Sequence, residues 1–334
     1  MRLLKQQHFR KQRGSMVRSV ITGCGAYLPE TLLTNDDLAK RVDTSDEWIT
    51  ERTGIRQRYI AAEGQYTSDL AAKAARKAME AARITPQAVD LIVLATTTPD
   101  LTFPSTATKV QALLGVHQGA AFDIQAVCSG FIYALTVADN AIRCGQAKTA
   151  IVIGAETLSR IVDWTDRSTC VLFGDGAGAL VLQASVDSSR GVIATKIASD
   201  GAFHDVLYVD GGVSSSGHAG KIRMLGREVY KHAVDKMATS VEDVLALGGM
   251  PIESIDFLVP HQANMRILQS VAKRLQVEGS RLVATVGLHA NTSAASILLA
   301  LEDAVRSGKL TEGKHLVATA IGGGLSWGSA LITW

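Results

Sequence analysis

Three residues have types and positions suited to nucleophilic catalysis: Cys128, His261 and Asn291. Cys128 follows the strand-like AFDIQAV and opens CSGFIYALTVADNAIRCG, His261 follows DFLVP, and Asn291 follows RLVATVGLHA and opens NTSAASILLALEDAVRSG. A cysteine at a helix N-terminus faces unpaired backbone N–H groups and the positive end of the dipole. Both lower its pKa below about 8.5 and supply thiolate for nucleophilic attack. Pro260 stops the preceding strand and sets His261 on a loop, where catalytic groups are often held. Taken singly, each residue has a plainer reading: Cys128 as a small buried hydrophobe, His261 as a hydrogen-bonded core or surface histidine, Asn291 as a helix N-cap. Their conjunction shifts the balance.

That conjunction comes from a duplication. Cys128 to Gly145 spans 17 steps, and Asn291 to Gly308 spans 17 as well. Between these ends Leu135 falls opposite Leu298, Asp139 opposite Glu302, Ala141 opposite Ala304, Ile142 opposite Val305 and Arg143 opposite Arg306. Two copies of one unit, packed about a pseudo-two-fold axis, would bring both helix starts to one cavity. Both segments read as helices that start abruptly and end at glycine, with an arginine in the last turn where the dipole favours a cation. Their middle turns are apolar around nearly the whole circumference, which predicts helices buried between layers.

The surrounding elements repeat in one order. In the first half a helix (68–82) leads past Pro86 to a strand (91–96), the Cys128 helix, a strand (150–154) and the glycine-rich GDGAGALVL. In the second half a helix (227–246) leads past Pro251 to a strand (257–259), the Asn291 helix, a strand (316–320) and GGGLSWGSALIT. Short, unpatterned β-branched strands alternating with helices predict largely parallel sheets covered on both faces. The polar QASVDSSRG marks the junction of the halves, so the domains read as 16–187, carrying the nucleophile, and 188–334, carrying His261 and Asn291.

Composition removes several function classes. The chain has 334 residues, 47% hydrophobic and 20% charged, which is ordinary globular material with no run long enough to span a membrane. The net charge of +2 is misleading, because residues 1–15 contribute Arg2, Lys5, Arg10, Lys11 and Arg13 without an acid. Without those five, 29 basic residues face 32 acidic ones, so the body is not built for nucleic acid. Residues 1–15 read as a disordered extension, since they lack the apolar run of a secretory signal. Cys24, Cys128, Cys144 and Cys170 show no CxxC spacing, and the histidines form no ligand cluster. Reduced thiols in a cytoplasmic protein and no metal are expected.

In AIGGGLSWGS, glycines let backbone N–H groups approach a ligand, so Gly323 and Cys128 N–H can form an oxyanion hole. GCGAYLPE, SDEWITERTGIRQR, FPSTA, AVCSGF, FGDGAGA, PHQAN, NTSAAS and GGGLSWGSAL occur in family order over residues 17–334. On these motifs the chain resembles β-ketoacyl-acyl-carrier-protein synthase III, the initiating condensing enzyme of the thiolase-like superfamily. The resemblance implies an α/β protein with the five-layer αβαβα fold, built from two duplicated halves, and a catalytic triad of Cys128, His261 and Asn291. Asn291 points to the initiating branch, because elongating synthases use two histidines and thiolases a second cysteine.

By resemblance, Trp48 and Arg167 would sandwich the CoA adenine, with Arg52, Thr53 and Tyr230 nearby. Phe103 would cross a homodimer interface to close the partner's acyl pocket; core packing is its plainer reading. After PHQAN, Arg266, Lys273 and Arg274 share one helix face by their spacing, a basic stripe that suits an acidic carrier protein; Gln262 is assigned to the same contact. Three residues depart from the family pattern: Ser168 and Ala290 replace glycines, and Tyr230 replaces phenylalanine. The implied function is decarboxylative condensation of a short acyl-CoA, acetyl-CoA first, with malonyl-acyl-carrier-protein. Acyl-CoA is then a substrate and no cofactor is needed. The rivals are a secondary-metabolism condensing or ester-forming relative, a noncatalytic partner subunit, and a cysteine hydrolase.

Overall fold

The computed structural model describes residues 17–187 and 189–334, so the expected extension over 1–15 lies outside the described residues. In the first half, β1 (Arg18–Tyr27) is followed by α1 (Asp46–Thr53), α2 (Thr67–Ala82), β2 (Leu91–Ala95), α3 (Thr106–Leu114) and β3 (Ala120–Ile124). Then come α4 (Gly130–Arg143), β4 (Thr149–Glu156) and β5 (Gly176–Ser185). The second half runs β6 (Gly191–Ser199), α5 (Gly226–Gly248), β7 (Phe257–Pro260), α6 (Met265–Arg274), α7 (Ser296–Arg306), β8 (His315–Gly322) and β9 (Ser326–Thr333). The two large sheets have the orders β1-β5-β4-β2-β3 and β6-β9-β8-β7. Where the first sheet has β3, the second has a single parallel bridge, Leu258 to Leu282.

Strand alternation builds the layers. Ile92 and Leu94 face outward against Leu70, Ala74 and Ala78 of α2, whereas Val93 and Ala95 face inward among Phe131 and Leu135 of α4. On the far side Val317 and Leu331 pack on Met237 and Val241 of α5. Ala318 and Ala330 turn inward to the cluster holding Ile297, Leu298 and Leu301 of α7. The order is helix, sheet, helix, sheet, helix, with α4 and α7 as the central layer. Among the described residues no helix is long and apolar enough to cross a membrane.

The sheets are mixed, not largely parallel. Strand β2 is parallel to β3 and β4, and β7 to β8, but β5 runs antiparallel to β4 and β1, as β9 does to β8 and β6. A strand buried on both faces reads the same whichever way its neighbour runs, so hydrophobicity did not distinguish the two.

The duplicated helices end in register, at Arg143 and Arg306, with Gly145 and Gly308 left-handed at φ 74° and 73°. Each arginine pairs back one turn to its aligned acid, Arg143 to Asp139 at 2.7 Å and Arg306 to Glu302 at 3.8 Å. Their starts differ. Each helix is entered through a 3₁₀ turn, but Cys128 lies within its turn, Val127–Ser129, whereas Asn291 precedes its turn, Ser293–Ala295. The Asn291 side chain makes that delay: its Oδ1 accepts the Ser293 N–H at 2.9 Å.

Close approach fixes two glycines beside these starts. A Cβ on Gly322 would lie 2.6 Å from the Cys128 nitrogen, and one on Gly154 would run into the Ala294 carbonyl. Backbone strain gathers at the same place, with Val127 at φ 49°, Ala290 at 56° and Ser293 at 48°. Left-handed non-glycine residues cost on the order of 1–3 kcal/mol each. Ala290 is one of the two glycine departures, and its Cβ serves no polar contact. Ala290→Gly will therefore stabilise the fold by about 1 kcal/mol, after the extra freedom of the unfolded chain is offset. The check is a higher denaturant midpoint at unchanged m-value; a lower midpoint refutes it.

Candidate active site

Cys128, His261 and Asn291 all line one cavity of about 450 Å³, together with Phe173, Tyr230 and Asn264. A second cavity of about 1270 Å³ also reaches Cys128 and is bounded by Thr97, Leu101, Thr102, Val127, Ser293 and Gly323. The cysteine thus sits where the two spaces meet. The end of β7 delivers His261, whose N–H bonds to the Thr319 carbonyl of β8 at 2.7 Å. Asn291 is held by a parallel bridge to Phe173: its N–H donates to Leu172 and its carbonyl accepts from Gly174. With Oδ1 committed to Ser293, its amide N–H₂ is left for the cavity.

His261 is oriented by Ser296 at the start of α7, whose Oγ lies 2.7 Å from Nδ1. That oxygen also accepts the Gln262 N–H at 3.3 Å, and Nδ1 is the one acceptor for its own hydroxyl among the described residues. The O–H therefore donates to Nδ1, and the ring proton sits on Nε2 as a donor. Sequence reasoning missed Ser296; its only signal was a serine in an otherwise apolar run.

Burial dominates both titrating groups. It pushes the Cys128 thiol up to about 12, reinforced by nearby Glu156 and opposed by a Ser293 hydrogen bond and by the cysteine's own N–H. The expected lowering by the helix dipole is thus overturned, because desolvation of the thiolate outweighs it. The same burial pulls His261 down to about 3. At rest the site holds a neutral thiol and a neutral imidazole. Among the described residues no group of three or more His, Cys, Asp or Glu side chains is placed to hold a metal ion.

The family models described as 3-oxoacyl-[acyl-carrier-protein (ACP)] synthase III and its C-terminal part match residues 122–201 and 245–334. A β-ketoacyl-[acyl-carrier-protein] synthase III of Rhodospirillum centenum is 60% identical over 321 residues, covering 95% of this chain and 99% of its own. The crystal structure of 3-oxoacyl-[acyl-carrier-protein] synthase III from Aquifex aeolicus superposes with a TM-score of 0.91. It is 47% identical and covers 95% of this chain and 100% of its own. The chain belongs to the β-ketoacyl-acyl-carrier-protein synthase III family. The priming β-ketosynthase of the R1128 polyketide pathway shares the fold at a TM-score of 0.91 but only 31% identity, over 96% of this chain and 98% of its own.

Against the residues this family would use for CoA, the structure makes distinctions. Two guanidinium groups lie over the Trp48 ring, Arg52 at 4.5 Å and Arg167 at 4.8 Å from its centre. Arg167 rests directly on the indole and is tied to the Asp43 carbonyl at 2.8 Å, so a base can enter between them only if that arginine swings out. Tyr230 lines the smaller cavity, its hydroxyl 2.7 Å from Ser270 Oγ. Ser168 is spent on Asp166, bonding to it through both its N–H and its hydroxyl.

Two assigned contacts turn inward instead. Thr53 is buried, its hydroxyl donating to Ile49 and accepting from Ile55 N–H, because it closes the last turn of α1. Gln262 is 1% exposed, and all four of its side-chain bonds go to backbone: Pro260, Val283, Thr285 and Val286. It braces the loop behind His261 and presents nothing to a carrier protein. Arg266, Lys273 and Arg274 are exposed on α6, with Arg274 paired to Glu242 at 3.2 Å. Phe103 is 83% exposed, which excludes core packing.

Proposed function

We propose that this chain is an acyltransferase that condenses a short acyl-CoA with malonyl-acyl-carrier-protein, releasing CO₂ and giving the 3-ketoacyl product that starts a fatty acid. The observation that carries the reading is the placement of Cys128, His261 and Asn291 on one cavity, with Cys128 also lining a second. In the first step the Cys128 sulfur bonds to the acyl carbon, the bond to CoA breaks, and the cysteine proton ends on the CoA sulfur. No net charge accumulates, which suits a site whose resting groups are neutral. Cys128 and Gly323 N–H stabilise the oxyanion, each such donor being worth on the order of 10²- to 10³-fold.

In the second step malonyl-acyl-carrier-protein loses CO₂, and its enolate oxygen takes hydrogen bonds from His261 Nε2–H and the Asn291 amide. Neutral donors hold the enolate without trapping an ion pair. The carbanion then attacks the acyl carbon, the bond to Cys128 breaks, and the departing thiolate takes from solvent the one proton that the overall reaction consumes. Acyl-CoA is consumed as substrate, and the reaction as written needs no cofactor. We place CoA along Trp48, Arg52, Arg167 and Tyr230, and the carrier protein on Arg266, Lys273 and Arg274.

A homodimer accords with Phe103 and Leu101, 83% and 52% exposed beside the larger cavity, and with β3, whose outer edge is unpaired. A cytoplasmic setting accords with the four free cysteines. The test is product formation from malonyl-acyl-carrier-protein with a panel of acyl-CoAs. Ketoacyl product with a short acyl-CoA supports the reading. Free acid as the main product, or ester formation with another acceptor, would replace it.

A further inference from the structure

Near Cys128 lies a carboxyl group that the mechanism above does not use. Glu156 ends β4 and is fully buried. Its Oε2 collects every donor in reach: Thr97 N–H at 3.0 Å and the hydroxyls of Thr96, Thr97 and Thr98 at 3.3, 2.9 and 2.8 Å. Its Oε1 is buried without a well-aligned partner. With Oε2 taking all four of these donors, Oε1 is the atom left free to carry a proton, and burial raises this carboxyl in that sense, against the lowering by its threonine hydrogen bonds. Between that oxygen and the Cys128 sulfur stands the Ser293 hydroxyl. It is buried with no aligned partner among the described residues, on the same cavity wall as Cys128, and a small rotation of its side chain would engage either group. Ser293 is held there at φ 48°, a conformation that serine adopts at a cost.

We propose that Ser293 donates a hydrogen bond to the Cys128 sulfur as its thiolate forms, and that Glu156, through Oε1, orients this hydroxyl from behind. The chain runs from Glu156 O–H to Ser293 Oγ, and from Ser293 O–H to the sulfur. A buried thiolate has few ways to be solvated, and a donor there acts on the nucleophile as the oxyanion hole acts on the carbonyl. Ser293 touches the reacting atom and is catalytic; Glu156 acts through it and is a positioning residue. The other titratable groups facing the pair are accounted for. His261 is engaged by Ser296, and Asp175, beside Gly176 opposite Glu156 in the sheet, is held by Ala61 and Ser159.

The inference rests on Cys128 being the nucleophile of the proposed function, and its test separates the two. Two rates are followed: alkylation of Cys128 by iodoacetamide against pH, resolved by peptide mass spectrometry, and acetyl transfer from acetyl-CoA. For Ser293→Ala the alkylation profile moves up by about one pH unit and acetyl transfer falls about tenfold, as expected for one lost charge-assisted hydrogen bond. Ser293→Gly, which suits the left-handed backbone, repeats the effect and removes misfolding as its cause. Glu156→Ala approaches the same values. Glu156→Gln, whose amide can donate to Ser293 in place of the acid, recovers most of the loss. A Ser293→Gly profile coinciding with wild type overturns the proposal. So does a Glu156→Gln variant as impaired as Glu156→Ala, which would mean that the carboxylate charge is needed. If wild type takes no acetyl group, the acyltransferase reading fails while the alkylation profiles still decide the role of Ser293.

Discussion

Replacing Cys128 with alanine will abolish covalent acyl transfer, with a loss in turnover on the order of 10⁴-fold or more, as when the nucleophile of a two-step acyl-transfer enzyme is removed. Of the residues that line both cavities, Cys128, Phe173 and Leu207, the cysteine alone carries a nucleophile, so no neighbouring group can take over its position. Serine will not rescue it. Burial already pushes the thiol to about 12, and an alcohol, a far weaker acid, would be harder still to ionise there. Intact-protein mass spectrometry after incubation with acetyl-CoA decides the matter. Wild type should gain one acetyl group and both variants none; equal labelling of the alanine variant would put the nucleophile elsewhere.

His261→Ala and Asn291→Ala will separate the two half-reactions. In the proposed mechanism both side chains act only as donors to the enolate, so each variant should still take an acetyl group at close to the normal rate. Condensation should fall by about 10²- to 10³-fold in each, the usual loss for one such donor. The double variant should fall less than the product of the two, because the donors share one oxygen. Single-turnover kinetics show this directly as acetyl-enzyme that forms and then fails to clear when malonyl-acyl-carrier-protein is added. Because burial holds His261 neutral down to about pH 3, the condensation rate should show no acid limb from this histidine between about pH 5 and 8. An inflection near pH 6.5 that disappears in His261→Ala would mean that the charged imidazole takes part.

The order of elements was legible because the duplicated segments carry the same apolar pattern and the same terminal arginine and glycine. The three polar residues at the element ends stood out against that background. Strand direction was not legible, since GAGALVL packs equally well beside a parallel or an antiparallel neighbour once both faces are covered. The acidity of Cys128 was misjudged for a related reason: position in a helix can be read along the chain, but depth beneath two sheets cannot. Thr53 and Gln262 lie within motifs that form the site, yet their polar atoms serve the backbone that shapes it. Glu156, Ser293 and Ser296 left only the faint trace of a polar residue in an apolar stretch.

The position of the sulfur at the meeting point of two spaces has an evolutionary corollary. On the proposed function, the primer's acyl chain extends past Leu101 and Val127 into the larger cavity, while the malonyl donor arrives past Tyr230 and Asn264. Selection can therefore lengthen, shorten or reshape the parking space for the first building block while the docking apparatus for the second stays fixed. One scaffold of this kind can be retuned to different starter units without renegotiating its contract with the carrier.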